Sequence, residues 1–176
     1  MEDGIEEELQ IAQEQDAEPT KISAKIFRDK IKTLDLKAIL TADEKTTLGE
    51  AVGMMQENEG GSLVIVNKKG NVTGILTERD FLMKVLGKVK NWEKELVTTA
   101  MTVDPFSLHC NDMIAHVMHN MHIGGYRHIP ILDNDEKPIL IVSIKDVVSF
   151  IFEQFPTEID NILDEPFKGK HQREGA

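Results

Sequence analysis

Two four-residue stretches of this chain carry the groups needed to hold an anion beside a pair of hydroxyls: Thr77-Glu78-Arg79-Asp80 and Ser143-Ile144-Lys145-Asp146. Both fit the pattern [Ser/Thr]-x-[Lys/Arg]-Asp, and apolar residues at helical spacing follow each, so Thr77 and Ser143 are read as helix starts. At such a start, free backbone N–H groups and the helix dipole favour an anion such as phosphate. The hydroxyls can donate to phosphate oxygens, and Arg79 and Lys145 place a cation one turn inward. Ionised Asp80 and Asp146 offer acceptors only, which suits the two adjacent hydroxyls of a sugar. Gly74, just before Thr77, would let backbone and ligand approach closely, although Leu140 stands at the matching position. Ser/Thr-x-x-Asp is equally a helix-capping pattern, with the hydroxyl covering one end and the acid aiding the dipole. The two roles coexist, because a capping carboxylate can still face a cleft.

The elements that must position these groups repeat with the same 66-residue offset. Leu63-Val64-Ile65-Val66 falls on Ile129-Pro130-Ile131-Leu132, and the helix-spaced Leu48, Ala51, Val52 and Met55 fall on Ile114, Val117, Met118 and Met121. Polar turns, Asn67 to Asn71 and Asp133 to Lys137, separate the apolar runs from second runs, Val72 to Leu76 and Pro138 to Val142. That is a hairpin signal in each copy. Second helices follow, carrying Phe81, Leu82 and Val85, or Val147, Val148 and Ile151. Short extended pieces, Ala38 to Leu40 and Pro105 to Leu108, precede each copy. The unit is β-α-β-β-α, used twice, in an α/β (α+β) architecture with helices on one face of each small sheet. A unit of about 60 residues is marginal alone. Two copies are therefore expected to pack about a pseudo-twofold axis, with equivalent clefts between them. The chain then divides into an acidic disordered tail (1–21), a lead-in helix (22–32), repeat one (33–88), a linker (89–98) containing Trp92, repeat two (99–155) and a flexible tail (156–176).

Composition narrows the function. The chain has 176 residues, 40% of them apolar, enough for a shared core. No apolar run approaches the ~18 residues of a membrane span. Met1-Glu2-Asp3 is unlike the basic n-region of a signal peptide. Cys110 is the only cysteine, which excludes an intramolecular disulfide and fits a reducing cytoplasm. Of the formal charge of −11, the first twenty residues hold −8, which leaves −3 for the rest. With no basic stripe for phosphates of a polymer, nucleic acid is not expected as a partner, nor is a membrane.

The strings Ile129-Pro130-Ile131-Leu132-Asp133 and Ile141-Val142-Ser143-Ile144-Lys145-Asp146-Val147 resemble the second half of a cystathionine-β-synthase (CBS) domain. Gly74-Ile75-Leu76-Thr77-Glu78-Arg79-Asp80-Phe81 resembles the same part of a first such domain, and Ala100-Met101-Thr102 is similar to the usual lead into one. The resemblance covers about residues 33–153 and implies a tandem CBS pair, or Bateman module. Such pairs form a pseudo-twofold disc, and many bind AMP, ADP or ATP. In that family each cleft joins the Ser/Thr-x-x-Asp element of one repeat to the segment before the first hairpin strand of the other. Carried over, Thr77, Arg79 and Asp80 face Tyr126, Arg127 and His128, while Ser143, Lys145 and Asp146 face Gly60, Gly61 and Ser62. The first cleft is richer in phosphate-binding groups and is favoured if only one is filled. An alternative for Arg127 and His128 is a solvated strand edge paired with the acidic turn.

The resemblance further implies a homodimer of discs, and exposed apolar residues on the second helices, such as Phe150 and Phe152, point the same way. The expected function is a stand-alone, non-catalytic sensor of adenosine nucleotides acting on an unseen partner. Rival readings are a nucleotide-free dimerisation scaffold and a sensor of S-adenosylmethionine or NAD. No enzyme is expected: the chain offers no Ser-His-acid set, P-loop or helix-spaced carboxylate pair, and hence no catalytic cofactor. His109, His116, His119 and His122 cluster in sequence, but no spacing places two metal ligands with a third. Solvent or a dimer interface is their expected setting, and no metal is assigned.

Overall fold

The computed structural model describes residues 26–155, so the expectations for both tails lie outside the described residues. Repeat one runs β1 (Thr41–Asp43), α1 (Leu48–Glu57), β2 (Ser62–Val66), β3 (Val72–Thr77) and α2 (78–85). Then β4 (Thr102–Val103) leads into repeat two: β5 (Leu108–His109), α3 (Ile114–Gly124), β6 (His128–Leu132), β7 (Pro138–Ser143) and α4 (Ile144–Gln154). Among the described residues there are two sheets, ordered β1-β2-β3-β4 and β5-β6-β7.

The 66-residue offset holds at the level of single strand pairs. Ala42 pairs with Ile65 and Leu108 with Ile131, both in parallel. Ser62 pairs with Thr77 and His128 with Ser143, both antiparallel. Each hairpin even breaks register at the equivalent step, Ile65/Val66 and Ile131/Leu132. The apolar runs fit this arrangement: Leu63, Val64, Ile65, Ile129 and Ile131 are fully buried, and a slipped register would carry flanking polar residues into their places.

What joins the halves is an exchange of leading segments. Residues before repeat two sit on repeat one: β4 pairs with β3, Val97 N–H donates to Thr46 O and Leu48 N–H to Glu95 O. Residues before repeat one sit on repeat two in the same way. Ala38 bridges Leu140, Ile31 N–H donates to Asp112 O, and Ile114 N–H donates to Asp29 O. The cores follow suit. Val97 and Ala100 pack with Leu48, Leu63 and Leu76, while Ile31 and Leu34 pack with Ile114, Ile129 and Val147. Neither repeat closes its own core, which is why a single unit is insufficient.

Several local expectations are corrected. The stretch expected as one lead-in helix contains two 3-10 turns, Ile26–Arg28 and Ile31–Thr33, because the Ile31 and Lys32 amides bond across to Asp112 O and Cys110 O instead of continuing a helix. The early extended pieces become strands a few residues later, at Thr41 and Leu108. α2 is α-helical only over Glu78–Asp80 and continues as a π turn over Phe81–Val85, whereas α4 is regular for 11 residues. The space beside Gly74 is filled by Met101, whose Sδ would lie 2.4 Å from a Cβ there, so the glycine makes room for the segment leading into repeat two. Phe150 is buried, not exposed. The outward apolar stripe is instead Ile144, Val148 and Phe152 on α4, with Leu82 and Leu86 at the equivalent positions of α2.

Candidate functional site

Both Ser/Thr-x-x-Asp elements form the capping box. Thr77 Oγ1 donates to Asp80 Oδ2 at 2.6 Å and accepts from Asp80 N–H at 3.2 Å. Ser143 Oγ donates to Asp146 Oδ2 at 2.7 Å and accepts from Asp146 N–H at 3.3 Å. Helix-start amides expected to be free are therefore engaged within the protein, including Glu78 N–H on Gly61 O and Ile144 N–H on Arg127 O. Those last two bonds are themselves equivalent under the repeat. Each ties a helix start to the opening of the first hairpin strand of its own repeat, so that both lie beside the residues that line the clefts.

The first cleft, of about 430 Å³, brings together Thr77, Arg79 and Asp80 with Tyr126, Arg127 and His128. Thr102, Asp104, Pro105 and Phe106, from β4 and the segment that follows it, complete it. Phe106 and Tyr126 stack at 6.2 Å between ring centroids, an apolar platform beside the cations. Arg79 Nη1 donates to Gly125 O at 3.4 Å. Asp80 is heavily committed: Lys84 Nζ lies 2.7 Å from its Oδ1, and Thr102 Oγ1 donates to the same oxygen at 3.4 Å. Lys84 is held in turn by Ala100 O at 2.9 Å.

The second cleft, of about 580 Å³, brings Ser143, Lys145 and Asp146 together with Gly60, Gly61 and Ser62. Lys37, Ile39, Glu78 and Ile141 join them, and Arg127 and His128 line this cleft as well as the first. Asp146 Oδ1 carries no hydrogen bond from any described residue, unlike Oδ1 of Asp80. Arg127 does pair with an acid, but with Glu78 at 3.7 Å rather than with the acidic turn.

Burial lowers the pKa of His128 below 6.5, reinforced by Arg127 and opposed by the carboxylates of Glu78 and Asp146. The imidazole is accordingly neutral near pH 7 and offers one donor and one acceptor to either cleft. Burial also raises the Tyr126 phenol, which stays protonated as a donor. The histidines on α3, His116, His119 and His122, are exposed, and no group of three or more metal-ligating side chains assembles among the described residues. No described helix is long and apolar enough to cross a membrane.

Sequence reasoning missed Lys84, Thr102, Phe106, Lys37 and Glu78. Glu78 sits inside a motif but at its unspecified position, and the others lie outside both motifs. The one signal available for Thr102 and Phe106 was their place before repeat two, which the exchanged segments turn into a cleft wall.

A family model described as CBS domain matches residues 31–87 and again 94–153. The CBS domain-containing protein CBSCBSPB5 of Arabidopsis thaliana is 28% identical over 123 residues, 70% of this chain and 22% of its own length. The chain thus spans about a fifth of that relative. Among solved structures, the CBS-domain containing protein ATU1752 from Agrobacterium tumefaciens is 30% identical with a TM-score of 0.62, covering 69% of this chain and 98% of that one. The CBS domain pair of MJ0100, solved with 5′-methylthioadenosine and S-adenosyl-L-methionine, is 21% identical with a TM-score of 0.64, covering 72% and 98%. CBSX2, solved in complex with AMP, is 16% identical with a TM-score of 0.61, covering 70% and 97%.

Proposed function

The chain belongs to the CBS domain family, and from that premise we propose that it is a regulatory CBS pair that senses an adenosine nucleotide, AMP, ADP or ATP, in its inter-repeat clefts. The observation that carries the reading is the pairing across each cleft of a [Ser/Thr]-x-[Lys/Arg]-Asp element with the strand opening of the opposite repeat. AMP in CBSX2, and the adenosyl compounds in MJ0100, support an adenosine-containing ligand. Arg79, Arg127 and Lys145 favour one that carries phosphate.

Thr77, Arg79, Asp80, Tyr126, Arg127 and His128 form one nucleotide site; Ser143, Lys145, Asp146, Gly60, Gly61 and Ser62 form the other. Phosphate between the repeats draws cations of both toward it and so biases how the halves sit. This regulates a partner only if the ligand prefers one arrangement over another. The exposed stripe Ile144, Val148 and Phe152, with the equivalent Leu82 and Leu86 of repeat one, is the surface through which a homodimer would form, and through which ligand state would reach a regulated protein. A cytoplasmic setting accords with the lone Cys110.

The test is a thermal-shift screen of the full chain against AMP, ADP, ATP, NAD and S-adenosylmethionine, followed by calorimetry. A bound phosphorylated nucleotide raises the melting temperature as its concentration passes Kd. A shift with S-adenosylmethionine alone would replace the ligand, and no shift with any compound would leave a dimerisation scaffold.

A further inference from the structure

Among the described residues one ion pair joins the two repeats, and it has no counterpart under the repeat. Glu78 and Arg127 face each other at 3.7 Å, whereas the positions equivalent to them are Ile144 and Gly61. Their side chains lie where the clefts meet. Arg127 lines both clefts, while Glu78 lines the second alone. Glu78 covers the backbone of Gly61, where a Cβ would stand only 3.1 Å from its Oε2. One guanidinium is thus shared between two sites, and one carboxylate depends on it.

We propose that Glu78 is a charge selector for the second cleft, and that through Arg127 an anion bound in the first cleft disfavours an anion in the second. This rests on the reading of both clefts as nucleotide sites. The charges around the second cleft show why. Glu59, Glu78 and Asp146 stand against Lys37, Lys145 and Arg127, three acids to three bases, with His128 neutral. When phosphate in the first cleft draws Arg127 away, three acids face two bases, and Glu78 is left without its partner. A second phosphate then enters a site of net negative charge. By linkage the effect is reciprocal: an anion in the second cleft that takes Arg127 weakens the first. The side chains of Arg127 and Glu78 are 52% and 60% exposed, so solvent screens the pair and the coupling is modest, about twofold to fivefold in affinity.

The test is calorimetric titration of the full chain with ADP, the second-cleft step being marked by its loss in Asp146→Ala. Arg79→Ala weakens the first cleft, so the second-cleft step should tighten by about twofold to fivefold. Combined with Glu78→Gln, the same Arg79→Ala change should move that step less, because withdrawal of Arg127 then leaves two acids facing two bases rather than a site of net negative charge. Uncharged adenosine should show no coupling in any variant. Glu78 and Arg79 are exposed, so these substitutions leave the core intact. If Arg79→Ala does not tighten the second step, or tightens it equally in the Glu78→Gln chain, the selector role is overturned; the latter result would mean that two anions simply repel through space. Failure of the nucleotide reading looks different: no heat from ADP with any variant, the wild-type chain included.

Discussion

Asp80 and Asp146 occupy equivalent positions, cap equivalent helices with the same oxygen and end in different circumstances. Lys84 and Thr102 hold the second oxygen of Asp80, while that of Asp146 is not engaged by any described residue. Lys84 belongs to the π turn of repeat one, and its equivalent in repeat two is Phe150, which is buried in the core. A duplicated backbone therefore guarantees equivalent placement of a functional group but not its availability. Two clefts that read alike in one dimension are offered to a ligand on different terms. The first has two arginines and an aromatic platform; the second has three cations, Lys37, Lys145 and the shared Arg127, and the open carboxylate.

The largest expected effect probes whether the halves stand or fall together. Ile31 and Val97 are equivalent, fully buried and lodged in the opposite repeat's core. Ile31→Ala should cost about 2–5 kcal/mol and Val97→Ala somewhat less, each in a single unfolding transition followed by denaturant melts. Two separate transitions would show the repeats to be independent. Next comes ligand binding. Asp146→Ala removes an available charged acceptor and should weaken nucleotide binding in the second cleft by about 1.5–3 kcal/mol, tenfold to hundredfold. Asp80→Ala should weaken the first cleft less, until Lys84→Ala frees the carboxylate and brings the two effects level. Calorimetry on the three variants decides it, and an Asp80→Ala loss equal to that of Asp146→Ala with Lys84 intact would erase the distinction.

Smaller still is a difference between the hairpin turns. Gly70 sits at φ 80° and its equivalent Glu136 at φ 60°, a left-handed conformation that favours glycine. Glu136→Gly should stabilise the chain by about 0.5–1 kcal/mol, less the weak contact of Glu136 with His109, readable as a rise in the melting midpoint. Last, His128 stands where repeat one has Ser62, so only repeat two carries a partly buried titrating imidazole at that position. Its folded pKa lies below 6.5 because burial penalises the charged form. The unfolded chain therefore takes up the proton first, and stability is full above pH 6.5 and lost as pH falls toward the folded pKa. Replacing His128 by Gln should flatten that slope, measured as stability against pH; an unchanged slope would assign it to other groups.

The repeat and its register were legible because they rest on apolar patterning and on two motifs that sequence displays directly, while the residues set opposite each motif followed from the resemblance to CBS domains. The exchange of leading segments was not. Thr102–Val103 is too short to show a period, and the helical spacing of Ile22 to Ile31 gave no hint that Asp112 and Cys110 would take its amides. Gly74 read as space for a ligand because Met101 lies 27 residues on, beyond any local rule. The favoured cleft turned on Arg79 and Arg127, which are visible in sequence; Lys84 against Asp80 is visible only as an i, i+4 pair, which also arises on ordinary solvated helices.

The exchanged segments also bear on how the chain can be cut. Residues 29–34 belong physically to repeat two and residues 95–103 to repeat one, so the peptide after α2, where the chain passes from one repeat to the next, works as a tether rather than a wall. Gly87 to Lys90 lies on that tether, mostly at the surface. A nick there would yield two fragments, each holding a piece of the other's interior, which fits them to remain clasped after cleavage and to reassemble when mixed. Synthesis carries the complementary burden: repeat one emerges complete in sequence yet lacks Val97 and Ala100, and must wait for the first residues of the next half before it can close.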